Sequence, residues 1–434
     1  MFARILQSVA VAALVATPAL AAPDSITLAM VLEPPNLDPT GGAAAAIDEV
    51  VYANVFEGLT RIGPDGSVQP DLAESWQVAD DGKSYTFHLR PGVTFHDGAT
   101  FDAQDVVFSL DRARAPDSTN AQKTLFEGID KVEAIDPQTV RVTLKSPDGA
   151  FPFKMAWGDA VMVDPASIKD IATRPVGTGP FKFAEWKQGD HITLTAYDGY
   201  WGKKPALKTA TFRFIADPTA AFAAIMAGDI DAFPIYPAPE TLAQIQTDPR
   251  FKVLVGTTEG ETILAMNNAR PPLDNVKVRE AIAHAINRQD LIDGAMFGYG
   301  TPIGTHFAPH NPDYTDLTAQ SAYDPELSKK LLAEAGVRDL TLRLALPPPP
   351  YARRGGEIIA AELRAVGIQT QITNMEWAQW LEQVYKNADY DLTISSHVEP
   401  INIGIYGREK YYYNYRNPAF RETMSRHDAT TDPA

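Results

Sequence analysis

The stretch Gly177-Thr178-Gly179-Pro180-Phe181 is the part of this chain that looks most like a phosphate-cradling loop. Phosphate binding of that kind needs backbone N–H groups in a glycine-rich turn that opens directly onto a helix. Pro180 removes one of those donors. Beyond it the chain carries Phe181, Phe183 and Trp186, a turn through Lys187-Gln188-Gly189-Asp190, and then Ile192, Leu194 and Ala196 alternating with His191, Thr193 and Thr195. That pattern spells strand, turn, strand, with no helix, so the glycines need another explanation. His306 and His310 have the H-x-x-x-H spacing of a helical metal site, but Pro309 between them places both in a loop, and no metal is assigned. There is no G-x-S-x-G or H-E-x-x-H. The absence of cysteine excludes disulfides, thiolate catalysis and cysteine–zinc sites. The carboxylates of a glycosidase need not be neighbours in sequence, and nothing here marks such a pair. No catalytic residue and no cofactor is therefore assigned. Large rings remain: Trp157, Trp186, Trp201, Trp377 and Trp380, with the run Tyr411-Tyr412-Tyr413 and Tyr415. Core packing is the ordinary fate of any one of them; as a group, some are expected to line a pocket.

The elements that must carry these residues can be read in outline. With 434 residues, 45% of them apolar and 21% charged, the chain has the composition of a soluble protein with more than one core. A formal charge of −17 repels nucleic acid, which is not expected as a partner. Arg4, the apolar run Val9–Ala16, Pro18 and Ala19-Leu20-Ala21 read as a signal peptide (residues 1–22) cleaved after Ala21 or Ala22, too short to span a membrane. Without a cysteine to carry lipid at that junction, the mature protein is expected free in an exported compartment. Hairpins are expected at Trp76–Val78 with Ser84–Arg90, and at Lys131–Ile135 with Val140–Leu144. Asp102, with Asp105 three residues on, is a capping pair for a helix. Asp217-Pro218 opens a second helix that Gly228 ends, and Ile230–Phe233 reads as the next strand. Beyond Val253, strands at Thr262–Met266, Leu340–Leu346, Gln369–Ile372 and Tyr390–Ile394 alternate with a helix capped by Asn275, one over Glu326–Ala335 stopped by Gly336, and others at Gly355–Val366 and Trp377–Tyr385. This is the order of a second α/β unit. Pro347–Pro350 is read as a short proline linker.

Several motifs together resemble one family. They are Glu33-Pro34-Pro35-Asn36-Leu37-Asp38-Pro39, Val55-Phe56-Glu57-Gly58-Leu59-Thr60, Asp71-Leu72-Ala73-Glu74-Ser75-Trp76, Leu89–Gly98, Gly177–Phe181, Tyr200-Trp201, Ala227–Asp231, and Met266-Asn267-Asn268 leading into Val278–Ala281. In number, order and spacing they resemble the extracellular solute-binding proteins of ABC importers, in the class (family 5) that includes dipeptide, oligopeptide and nickel binders. The resemblance implies an α/β, two-lobed periplasmic-binding-protein fold with an extra α+β subdomain inserted in the first lobe. Residues 23–50 and 171–252 would form lobe I, 51–170 the inserted subdomain, and 253–434 lobe II. It also implies that the Gly-Thr-Gly-Pro segment is structural, returning the chain to the lobe I sheet, and that the cleft closes on ligand by a hinge.

On that resemblance the chain is expected to be a periplasmic monomer that captures a peptide or peptide-like solute and delivers it to ABC permease subunits. A secreted hydrolase or chaperone-like peptide holder is the alternative. The expected ligand-binding residues are Glu33, Asn36, Trp157, Asn267, His397, Glu399 and Tyr406. The family's peptide binders carry a W-x-x-D-like stretch in lobe II whose aspartate meets the peptide α-amino group. The corresponding Ile394–Asn402 here has neither tryptophan nor aspartate, with Glu399 and His397 nearby instead. Family members also continue beyond the region of Arg416–Phe420 with a segment that packs back on lobe I. The end at Asp432-Pro433-Ala434 reads as mid-helix, so that return segment is expected to be missing and an apolar patch left uncovered.

Overall fold

The computed structural model describes residues 24–64, 66–311, 314–398 and 402–428. The signal-peptide segment, Glu399 and the final residues Ala429–Ala434 lie outside the described residues. The chain opens with β1 (Ser25–Met30) and α1 (Ala45–Val51). A ribbon, β2 (Thr60–Ile62) and β3 (Val68–Pro70), leads into β4 (Ala73–Val78) and β5 (Ser84–Leu89). Helix α2 (Ala103–Arg114) precedes the hairpin β6 (Ile129–Asp136) and β7 (Thr139–Leu144). The chain then returns through β8 (Phe181–Lys187), β9 (His191–Ala196) and β10 (Thr209–Phe214), followed by α3 (Pro218–Ala227). Beyond these come β11 (Glu261–Met266), α4 (Val276–Ala285), α5 (Arg288–Met296), α6 (Pro325–Glu334), β12 (Leu340–Leu346), α7 (Pro350–Ala365), β13 (Ile368–Asn374), β14 (Leu392–His397) and α8 (Pro418–Asp428).

Three four-stranded sheets organise these elements. The order β1-β10-β9-β8 makes the first lobe, β4-β5-β7-β6 the inserted block, and β11-β14-β12-β13 the second lobe. Strand β1 runs parallel to β10, and β12 runs parallel to both β13 and β14, while β11 is antiparallel to β14. The inserted block is an antiparallel meander whose alternation is plain: Tyr85, Phe87 and Leu89 are buried on one face, packed against Phe151 and Leu110. Its helix α2 starts where the capping pair predicts, with Asp102 and Asp105 satisfying each other's backbone N–H groups. Helix α3 likewise starts on Asp217 and ends on Gly228 at φ +81°.

Some expectations are corrected. Ile230–Phe233 is not a strand; only Ala232 bridges to Leu28 of β1. Helix α7 begins at Pro350, because proline at the first helical position gives up only an N–H that would have no partner there. The Trp377–Tyr385 helix is one α-turn followed by a π-helical turn, Leu381–Lys386. Strand β14 starts later than expected and runs on to His397, so that residue ends a buried strand rather than lying in a loop. Pairing with β11, which carries the register on through Ser395, Ser396 and His397, outweighs the low strand propensity of the two serines.

The glycines of Gly177-Thr178-Gly179 sit against backbone. A Cβ on either would come closer than 3.0 Å to the Asn54–Val55 main chain. Neither glycine has positive φ, so space rather than dihedral freedom demands them. Thr178 Oγ1 donates to Glu57 Oε2 at 2.8 Å, and Tyr200 OH and Trp201 Nε1 also donate to this buried carboxylate, at 2.9 and 3.0 Å. His96 completes the clamp: Gly177 N donates to Nδ1, which leaves Nε2–H to donate to Gly179 O at 2.9 Å. Burial holds this ring neutral by pulling its pKa down to about 4.

With three donors converging on Glu57, the proton of the neighbouring carboxyl pair rests on Asp71. Burial, then the Glu57 charge, pushes Asp71 up to about 7, against Arg61 and Arg90. The unfolded carboxyl titrates near 3.8. Between these values the folded state binds the extra proton, so its stability falls as pH rises towards 7. Urea denaturation across about pH 5 to 8 should show that decline in the native chain and a flatter profile in Asp71→Asn; parallel profiles would contradict it.

Candidate functional site

The parallel strands of the second lobe end at Leu346, Asn374 and His397, and Glu261, the first residue of β11, lies opposite His397 in register. In open α/β sheets this carboxyl edge is where ligands bind. Two contacts show that it faces the first lobe. Trp377, just beyond β13, packs on the first-lobe core that contains Ile47, Val50 and Val51. Arg408, beyond β14, donates to Gln122 Oε1 of the inserted block. A third link, the bidentate pair of Arg354 on α7 with Glu240, 2.9 and 3.1 Å, also joins the two lobes.

Of the aromatic residues singled out from sequence, Trp377, Trp380, Tyr411, Tyr412, Tyr413 and Tyr415 come together at this edge, whereas Trp157, Trp186 and Trp201 lie in the first lobe and its inserted block. His397 is buried, with Nε2 2.7 Å from Tyr412 OH and 2.8 Å from Tyr413 OH, and its ring plane is tilted only 24° from that of Tyr412. Burial pushes both tyrosine hydroxyls well above their ordinary range, so they stay protonated as hydrogen-bonding groups. Trp377 and Trp380 stack at 5.1 Å with 10° between planes. Trp380 Nε1 donates to Thr393 Oγ1, which donates on to Ala345 O, so the stack is pinned to two strands. Tyr406 packs against Tyr413 and Tyr415 at 5.5 and 5.4 Å between ring centres.

The expected site residues divide accordingly. His397 and Tyr406 come together in this cluster. Asn267 lies beneath it and is 1% exposed: Nδ2 donates to Ala388 O and Tyr390 O, while Oδ1 accepts from Ala269 N and Asn414 Nδ2. It braces the tyrosine run from inside. Glu33 and Asn36 share the loop that leaves the carboxyl end of β1. The Glu33 carboxylate accepts from Trp186 Nε1 at 2.9 Å and from Gly189 N, tying that loop to the β8–β9 turn. Asn36 Oδ1 accepts from Asp38 N in an Asx turn. Trp157 packs on the core of the inserted block, beside Gly158, which abuts the Asp48 carboxylate.

Residues outside the expected set also belong to the cluster. His306 Nε2 is 2.6 Å from Tyr406 OH, and its Nδ1 is 3.1 Å from Glu261 Oε2, a close pair bent from the straight N–H line. His310 pairs instead with Glu259, so the two histidines of the H-x-x-x-H spacing serve different carboxylates. A charged residue opening an otherwise apolar strand, Glu261, was the available signal; its partner lies 45 residues on, in a loop that no periodicity marks.

Known proteins share both the sequence pattern and this architecture. Residues 67–415 match the family model described as bacterial extracellular solute-binding proteins, family 5, middle region. The glutathione-binding protein GsiB of Pectobacterium atrosepticum is 34% identical over 381 residues, 86% of this chain and 73% of that one. The dipeptide-binding protein of Escherichia coli is 32% identical over 382 residues, 80% of this chain and 70% of that one. Among solved structures, the binding protein AgaA of A. tumefaciens in complex with agropinic acid superposes with a TM-score of 0.86 at 29% identity, over 94% of this chain and 86% of that one.

Proposed function

The chain belongs to the bacterial extracellular solute-binding proteins of family 5, and from that membership we propose that its solute is a peptide or peptide-like molecule held between the two lobes. It is the capture component of an ABC importer, with the two-lobed fold of that class. The observation that carries the reading is the buried His397–tyrosine cluster at the carboxyl edge of the second-lobe sheet, turned towards the first lobe by Trp377 and Arg408. Such a cleft offers ring faces for an apolar or cationic group and a few fixed hydroxyl and imidazole groups for orientation, the usual make-up of a small-molecule site. The relatives named for glutathione and for dipeptides support a solute of that size and polarity.

The proposed division of labour follows the boundaries implied by the family resemblance. Residues 23–50 and 171–252 supply the Glu33–Asn36 loop, 51–170 supply Trp157, and 253–434 supply His397, Glu399 and Tyr406, with Asn267 bracing the tyrosine run beneath them. The protein acts as a periplasmic monomer without catalysis, released from its signal peptide near Ala21 or Ala22. Family members work outside the cytoplasm, and no helix among the described residues is long and apolar enough to cross a membrane.

The test begins with native mass spectrometry of protein purified from osmotic-shock fluid, which identifies the co-purified solute. Titration calorimetry with that solute should then show His397→Ala weaker by roughly tenfold to a hundredfold, the range expected when a buried polar partner is lost. Unchanged affinity in His397→Ala would remove this cluster from the site.

A further inference from the structure

Arg354 and Glu240 meet from opposite lobes, and each stands on a firm mount. Arg354 lies in the second turn of α7, which follows the carboxyl end of β12. That helix is fixed to its sheet by Ala352, Ile359 and Leu363, buried in one core with Leu344 and Leu346. Glu240 sits in the short turn Pro239–Thr241. Ala238 and Pro239 are buried beside it, and Thr241 Oγ1 donates to Ala238 O at 2.9 Å. Upstream, Ala232 bridges in parallel to Leu28 of β1, so this stretch sets out towards the same carboxyl edge as the Glu33–Asn36 loop. The pair therefore spans the two edges that border the cleft. The chain itself crosses between the lobes at residues 251–260, which form no helix or strand. Arg354 and Glu240 lie outside that connection, so a hinge motion can make and break their contact.

The geometry ties the contact to one position of the lobes. Arg354 Nη1 donates to Glu240 Oε2 at 3.1 Å and Nη2 to Oε1 at 2.9 Å, fork against fork. A small rotation of either lobe breaks both bonds together. Arg354 is also prepared for the contact from within its own lobe. Its guanidinium lies 5.3 Å from the ring centre of Phe297. Phe297 ends α5 at φ +55°, a region that aromatic residues seldom adopt, and it stays 47% exposed. A ring left in water in this way has the guanidinium as its partner. Resting on the ring, the long arginine side chain has less freedom to lose when it meets Glu240.

Resting on the reading of this cleft as a peptide-class site, we propose that Arg354, Glu240 and Phe297 form a latch across its mouth that sets how fast a captured solute is released. The paired bonds form as the lobes close and must break before the solute can pass on to the permease. They hold the closed state without touching the solute. Each charged side chain is 31% exposed, so dissolved salt reaches the pair and weakens it.

Two measurements test this on the full chain. In Arg354→Lys, a carbodiimide should join the introduced amine to the Glu240 carboxylate as an amide, read by mass spectrometry of the digested protein. More of it should form when a pool of dipeptides and tripeptides is present. No such amide, or the same amount with and without peptide, overturns the proposal. For release, protein loaded with the same pool is diluted in a stopped-flow instrument and its tryptophan emission is followed. Arg354→Gln and Glu240→Gln should each release about threefold to tenfold faster than the native chain, the range for a partly exposed two-bond ion pair. The double variant should be no faster than either single one, because the two residues act as a unit. Salt at about 0.5 M should bring the native rate towards theirs. Merely structural damage would accumulate in the double variant and leave the difference at high salt. Release at the native rate in both single variants overturns the proposal. A native chain whose emission ignores the pool overturns the peptide reading, and the latch with it.

Discussion

Gly177→Ala should be among the most damaging single changes in the first lobe, although it adds one methyl group. That methyl would come closer than 3.0 Å to the carbonyl carbon and oxygen of Val55 and to the ring of Phe56. The obstacle is mainly backbone, so no side-chain rotation relieves it. Neither side can retreat easily. Gly179 N donates to Val55 O, Phe181 N to Asn54 O and His96 N to Gly177 O, all at 2.9 Å. Val55 and Phe56 are themselves fully buried. Overpacking of a tight core costs about 1–3 kcal/mol where side chains can adjust, and a backbone clash belongs at or above the top of that range. For a domain stable by about 5–15 kcal/mol, the expected result is a fall in melting temperature of about 10 °C or failure to accumulate as folded protein. Thermal melts of Gly177→Ala beside an exposed control such as Gly256→Ala, which has nothing within 4 Å, decide it. Equal melting temperatures for Gly177→Ala and the native chain would show that the loop is not close-packed.

Tyr412→Ala should damage the second lobe and the site together. The ring is 2% exposed and packs on Trp380, Tyr385, Tyr390 and His397, and its backbone oxygen accepts from Tyr390 OH. Removing a buried ring of this kind costs about 3–5 kcal/mol. The cavity also frees His397, so solute binding should become undetectable at concentrations that saturate the native chain. Tyr412→Phe separates the two effects. It keeps the packing and loses only the hydroxyl near His397 Nε2, so stability should fall by about 1 kcal/mol, with a measurable loss of affinity. If Tyr412→Ala melted like the native chain, the tyrosine run would not be the core of this edge.

Much of this architecture was legible because local signals and tertiary demands agree. Asp102 with Asp105, Asp217 with Pro218, and Asn275 mark helix starts where they occur, because a capping side chain satisfies N–H groups that nothing else reaches. The alternation of Tyr85, Phe87 and Leu89 gave the face of the inserted sheet. The misreadings lie where the neighbours decide. Ser395, Ser396 and His397 look like loop residues, but β11 pairs with each of them and draws β14 out to His397. Helix α5, with Gly294 in its middle, buries only Ala295 and carries little periodicity to read.

The site was legible in its aromatic residues and not in its partners. Trp377, Trp380 and Tyr411–Tyr413 announced themselves by type, and His397 by its place in a motif. Asn267 stands in a polar pair that leaves a strand, and its amide turns inward to brace Tyr390 and Asn414. Glu261 and His306 could not be paired from sequence, since only the fold brings residues so far apart within 3.1 Å.

The most direct test of the central claim, capture of a solute in the cleft without chemistry, is a tryptophan fluorescence titration of the native chain with a mixed pool of dipeptides and tripeptides, assayed in parallel for newly formed amino groups. Trp377 and Trp380 stand at the carboxyl edge and Trp157 on the inserted block, so occupation of the cleft should change their emission. A receptor should give a saturable change in emission with no amino groups released over the same hours. An emission unchanged at millimolar peptide, or a steady release of amino groups, would contradict it.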